Sequence, residues 1–114
     1  MSGKTPILQL LGFNVDALFL CIDEFKKSLS YRDDFQIECI FKSNEFPNER
    51  QVFKLKSTNH TFALKLDTQS DKTGRLRGEF ERLEKLHSYF QEFPKFDVVK
   101  PIFFSATGTF FVTE

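Results

Sequence analysis

The amino-acid sequence predicts an α+β domain, a five-stranded antiparallel sheet with one long packed helix, preceded by an N-terminal helix. Three observations predict it. Apolar residues recur at steps of three and four over about 14–30 and again over about 73–90, the period of a helix with one buried stripe. Between and after these stretches lie runs that alternate apolar and polar residues, the period of a half-buried strand. The links joining the first three runs are polar and too short for a parallel crossover, which leaves antiparallel pairing.

In the first helix, Val15, Leu18, Phe19, Ile22, Phe25 and Leu29 fall on one stripe, with Asn14 in position to cap its start. The apolar run Pro6–Leu11 before it is too short to type. Phe35, Ile37, Cys39 and Phe41 then alternate with Gln36, Glu38 and Ile40 and define one strongly apolar strand face. The segment 42–50, with Asn44, Pro47 and Asn48, reads as a loop. Gln51–Lys56 and Thr61–Leu66 are the second and third strands, joined by Ser57-Thr58-Asn59-His60. Asp67–Gly74 reads as a polar loop in which Asp67, Asp71 and Lys72 face solvent. The second helix runs to about Phe90, and Pro94 forbids its continuation. Val98–Phe104 and Thr109–Thr113 are the last two strands, separated by the turn Ser105-Ala106-Thr107-Gly108.

At 114 residues the chain is one domain's worth, enough to bury roughly two-thirds of its unfolded surface. Sixteen Lys and Arg balance sixteen Asp and Glu, which argues against nucleic acid or an anionic membrane as partner. No apolar stretch approaches the length of about 20 residues that a bilayer demands. The start, Met1 to Pro6, lacks the apolar run of a secretory signal. A cytoplasmic location is expected. Cys21 and Cys39 sit among apolar neighbours and lack metal-ligand spacing, so they read as reduced core residues. Sixteen Phe against two Tyr and no Trp point to a dry core.

Two charges break the apolar pattern. On a helical wheel with Leu76 at zero, Phe80, Leu83, Leu86, His87 and Phe90 fall between roughly −80° and +40°; Glu79 falls inside that arc at about −60°. Glu81 and Glu84 fall outside it. In the third strand, Phe62, Leu64 and Leu66 share one face and Thr61, Ala63 and Lys65 the other, so Lys65 is a cation set among apolar residues. A Lys65–Glu79 ion pair would satisfy both groups. A lysine that snorkels to water, with Glu79 at the margin of the stripe, would also do so.

Phe62-Ala63-Leu64-Lys65 matches the strand-3 pattern Val-Ala-Ile-Lys, and Glu79-Phe80-Glu81-Arg82-Leu83-Glu84-Lys85-Leu86 matches the helix-C pattern of protein kinases. With these motifs in order, residues 35–114 resemble the amino-terminal lobe of a protein-kinase-like phosphotransferase, of the aminoglycoside-phosphotransferase or lipopolysaccharide-kinase type. Residues 1–34 then form an N-terminal helical extension packed outside a lobe that ends at the hinge. The resemblance implies ATP as cofactor, with Mg²⁺ in the complete enzyme. It implies that Lys65 holds the α- and β-phosphates, that Glu79 orients Lys65, and that Val52 and Ala63 enclose the adenine. Val98-Val99-Lys100-Pro101 resembles strand 4. Thr113 takes the gatekeeper place, and Glu114 the first hinge position, whose backbone meets the adenine edge.

Two departures qualify the resemblance. The positions of the phosphate-loop glycines hold Glu45, Pro47 and Arg50, so no glycine lets the backbone close on phosphate. Ser43, Asn44 and Asn48 suit the Ser/Asn-bearing loops of small-molecule kinases, and Arg50 could either aid the phosphates or face water. No His-x-Asp or Asp-Phe-Gly segment occurs in the sequence, so the catalytic and magnesium-binding residues of a carboxyl lobe are lacking. The expected partners are therefore a nucleotide and, at the hinge edge, either a missing C-lobe or a partner protein. An apolar end at Phe110-Phe111-Val112 is what truncation would leave. Whether the chain is an enzyme stays open at this point, because a non-catalytic α+β protein-interaction module fits the same pattern. His60, in a turn, and His87, on the apolar helix face, have no metal-ligand neighbours in sequence.

Overall fold

A computed structural model describes residues 15–45, 50–91 and 99–114, with only the backbone of 15–17. The readings made for Pro6–Leu11, Asn14, Pro47, Asn48, Pro94 and Val98 lie outside the described residues. The elements follow in the order α1 (Val15–Ser28), β1 (Gln36–Lys42), β2 (Arg50–Lys56), β3 (Thr61–Asp67), α2 (Ser70–Thr73), α3 (Arg75–Phe90), β4 (Pro101–Phe104) and β5 (Phe110–Thr113). The five strands form one sheet in the order β1-β2-β3-β5-β4, and every neighbouring pair is antiparallel. The α+β class and the packed long helix are as the periodicities predict.

Alternation gives the sheet two unlike faces. Phe53 and Leu55 of β2, Phe62, Leu64 and Leu66 of β3, and Phe110 and Val112 of β5 are buried on one of them. Leu18, Ile22 and Phe25 of α1 cover that face, and Phe25 has no exposed surface. Each such side chain contributes about 1.5–3 kcal/mol through removal from water. The helix of the 1–34 segment is thus built into the core rather than laid outside it. Phe25 meets Phe62 edge-on at a centroid distance of 5.1 Å and also contacts Phe35 and Phe103. Glu24 of the same helix accepts a hydrogen bond from the Ala106 N–H at 3.0 Å, tying α1 to the β4–β5 turn.

On the other face, α3 packs against β4 and β5. Its Phe80 ring lies 5.4 Å from Phe104 and 5.5 Å from Phe111, and Leu76 is fully buried. Among the described residues no helix packs on the remainder of that face, over β2 and β3. The Ser105–Gly108 turn closes where Gly108 takes φ +79°, a conformation that suits glycine. The Ser105 hydroxyl accepts from the N–H groups of Gly108, Thr109 and Phe110.

The structure corrects the sequence reading in five places. A bulge between Cys39 and Phe41 shifts the β1 register, so that Phe41 pairs with Val52 instead of continuing the core face. Leu29 and Leu86, placed on buried stripes, are exposed, and α1 ends before Leu29. The loop 67–74 contains the one-turn helix α2, ended by Gly74 in the left-handed conformation. Asp67 is not solvated but buried at the end of β3, whereas Asp71 and Lys72 are exposed. β4 begins only at Pro101, after exposed Val99 and Lys100. Among the described residues no helix is long and apolar enough to cross a membrane.

Candidate functional site

The α3-side face of β2, β3 and β5 collects most of the residues that the sequence singled out. Register sets Val52 opposite Lys65, and Lys65 opposite Phe111. The adjoining row sets Lys54 opposite Ala63, and Ala63 opposite Thr113. Residues paired directly across antiparallel strands share a face, so Val52, Ala63, Lys65 and Thr113 form one patch. Thr113 is buried and Val52, Ala63 and Lys65 are half-buried.

Helix α3 brings Glu79 to this patch. Leu76 and Phe80 fix the inner side of the helix, and Glu79, about 60° from Leu76 on the wheel, lies within the same sheet-facing arc. Lys65 Nζ donates to Glu79 Oε1 at 2.6 Å, and the two side chains are 31% and 28% exposed. The snorkelling alternative is therefore not what the chain adopts. Glu79 Oε2 is buried and accepts no hydrogen bond among the described residues.

Glu114 is placed differently. Its N–H donates to the Lys100 carbonyl at 2.8 Å, and its carbonyl accepts from the Lys100 N–H at 3.5 Å, so its backbone is paired to the strand-4 side of the sheet. Its carboxylate meets His60 Nδ1 at 2.9 Å. His60 is exposed, as its turn position implies, but also stacks on Phe62 at 5.4 Å. His87 is half-buried and bonds Gln91 Nε2 at 3.1 Å.

Sequence reasoning missed Asp67, Arg75 and Phe41. Asp67 is 1% exposed, and its Oδ2 accepts from Arg75 Nε at 2.8 Å and lies 2.7 Å from Arg75 Nη2. Arg50 Nε stands 3.4 Å from the same oxygen, and the Gln69 N–H donates to Oδ1 at 3.0 Å. The signal was present in the alternation: Asp67 follows Ala63 and Lys65 on the same side of β3, and the hairpin register sets it opposite Arg50. Phe41, Ser43, Arg50, Val52, Lys65 and Arg75 line one cleft of about 240 Å³. Lys65 stands there against Glu79, and Arg50 and Arg75 against Asp67. A larger cleft of about 450 Å³ lies on the α1 side between Phe19, Ile22 and Phe35; its Lys26 pairs with Asp34 at 3.7 Å.

Burial, and secondarily Glu24, push the Cys21 thiol up to about 11, and burial also raises Cys39. Both cysteines are free, and these shifts disfavour the nucleophilic thiolate. Comparison with protein-family models, curated proteins and solved structures returned no match, so the functional reading rests on the geometry of this face.

Proposed function

We propose that the chain is the ATP-binding N-lobe of a kinase-like phosphotransferase of the aminoglycoside-phosphotransferase or lipopolysaccharide-kinase type. The observation that carries this reading is the Lys65–Glu79 ion pair, 2.6 Å long, on the sheet face that also holds Val52, Ala63 and Thr113. An ammonium anchored by a carboxylate keeps a fixed direction while two of its three donors stay available to phosphate oxygens. Val52 and Ala63 offer a flat apolar surface to a purine, and Thr113 closes its inner end. Lys65, Arg50 and Arg75, which line one cleft, are cations of the kind that polyphosphate oxygens meet.

Among the described residues no three His, Cys, Asp or Glu side chains cluster as a metal site. In this reading Mg²⁺ is carried by the phosphates and by the second lobe, and supplies charge neutralisation during phosphoryl transfer to a hydroxyl of a small molecule or glycan. This lobe binds and orients the donor. A cytoplasmic location belongs to the same proposal. A second reading, a non-catalytic protein-interaction module, draws support from exposed Leu86 and Tyr89 on α3. Calorimetric titration of ATP separates the two. The nucleotide reading expects binding that weakens at least tenfold in Lys65→Ala; equal affinity in both proteins removes Lys65 from any nucleotide site.

A further inference from the structure

Two charges on β3 and two on α3 meet in crossed pairs. Lys65 and Asp67 stand two residues apart on one side of β3, about 7 Å along the strand. Arg75 and Glu79 stand four residues apart on one side of α3, about 6 Å along the helix. The two spacings match, and the signs run so that opposite charges face each other. Lys65 meets Glu79 at 2.6 Å while Asp67 meets Arg75 at 2.7 Å. A slip of α3 by one turn would set Glu79 against Asp67, or Arg75 against Lys65, and either juxtaposes like charges. The charge order thus specifies one register of the helix on the strand.

The two pairs are unequal. Glu79 holds Lys65 through Oε1 alone, both side chains are partly exposed, and Glu79 Oε2 accepts no hydrogen bond among the described residues. Asp67 is buried; its Oδ1 accepts from the Gln69 N–H at 3.0 Å, and its Oδ2 meets Arg75 Nε at 2.8 Å as well as Nη2. Arg50 of β2 approaches the same Oδ2 at 3.4 Å. The first turn of α3 is secured further by the buried Ser70 hydroxyl, which accepts from the Leu76 N–H at 2.9 Å. A contact through two nitrogens to a buried carboxylate is stronger than a single, partly exposed one, so the Asp67–Arg75 pair places the Lys65–Glu79 pair and not the reverse. We infer that Asp67 and Arg75 are positioning residues, which hold α3 in the register that keeps Glu79 on Lys65, so that the ammonium is aimed before a phosphate arrives. The inference rests on the nucleotide reading for what Lys65 then binds. It makes Arg75 a determinant of affinity that acts through Glu79, although Arg75 also lines the cleft.

The test records the Lys65 ¹⁵Nζ resonance and the ATP affinity of the 114-residue chain and of Glu79→Gln, Arg75→Gln, Arg75→Lys and the double variant Glu79→Gln/Arg75→Gln, with thermal melting of each. Leu18→Ala, in the core on the α1 side, is the control for lost stability alone. Without ligand, Arg75→Gln is expected to move the Lys65 resonance toward its position in Glu79→Gln. Arg75→Lys should restore about half of that displacement or more, and Leu18→Ala should leave the resonance in place. With ATP, Arg75→Gln should weaken binding by about fivefold or more, and should weaken it no further in the Glu79→Gln background. A wild-type Lys65 resonance and ATP affinity in folded Arg75→Gln overturn the inference and leave the nucleotide reading standing. Losses that add in the double variant show Arg75 touching the nucleotide itself and overturn its positioning role. A Lys65 resonance that follows Arg75 in a chain that binds no ATP supports the positioning role and overturns the nucleotide reading. Should Arg75→Gln not fold, the isosteric Asp67→Asn takes its place in every arm, with the same outcomes.

Discussion

Arg75, the first residue of α3, closes on Asp67, the last residue of β3, through two nitrogens directed at one carboxylate oxygen, 2.8 Å from Nε and 2.7 Å from Nη2. This bond spans the short helix α2 and fixes where α3 starts. The start of α3 in turn decides where Glu79 arrives, one turn further along. Asp67→Ala is expected to lower stability by about 3 kcal/mol, because it strips two guanidiniums of a buried partner. Urea denaturation measures this, and a loss below about 1 kcal/mol would mean that water replaces the carboxylate without cost.

The Lys65–Glu79 pair is neither buried nor free. At roughly one-third exposure of each side chain, Glu79→Ala should cost more than the 1 kcal/mol or so typical of a surface pair and less than the roughly 3–5 kcal/mol of a fully buried one. A double-mutant cycle with Lys65→Ala, read by denaturant midpoints, isolates the pair term. A coupling indistinguishable from zero would mean that the contact does not hold in solution.

Phe25 carries the attachment of α1. It is fully buried against Phe35, Phe62 and Phe103, so Phe25→Ala should destabilise the whole domain by about 3–5 kcal/mol. A protein starting at residue 35 would expose Phe53, Phe62 and Leu64 together and should aggregate or lose near-ultraviolet circular dichroism. A soluble, cooperatively melting 35–114 fragment would show that α1 is dispensable.

Cys21 gives a pH-dependent signature. Its thiol is pushed from 9.0 up to about 11, chiefly by burial. Alkylation at pH 8 should therefore run about a hundredfold slower than for an ordinary exposed thiol, since only the thiolate reacts. The unfolded chain ionises first as pH rises past 9.0, so the contribution of this thiol to stability is full below that value and declines toward pH 11. Cys21→Ser should flatten the alkaline limb of the stability curve; an unchanged limb would assign it to other groups.

Much of this architecture was legible in the sequence because periodicity reports faces directly. The alternation around Lys65 and the wheel position of Glu79 together placed both groups toward the same gap. Phe41 was misplaced because one extra residue at a bulge reverses every later side chain, and nothing in Glu38-Cys39-Ile40-Phe41 marks where the extra residue goes. Asp67 was read as solvated because a charged residue before a polar loop ordinarily is. Its burial depends on two arginines, one seventeen residues before it and one eight after, brought together only by the hairpin register and the turn into α3. Leu86, exposed on α3, shows the converse: helical periodicity identifies an apolar stripe but not how much of it is covered.

The nucleotide reading is tested most directly by amide and lysine Nζ resonances of the 114-residue chain as ATP is added. That reading predicts concentration-dependent shifts at Val52, Ala63, Lys65 and Thr113, with the Lys65 ammonium moving most and the α1-facing residues Phe53 and Leu64 nearly still. Shifts confined to the α1 side of the sheet, or spectra indifferent to ATP at millimolar concentration, would contradict it.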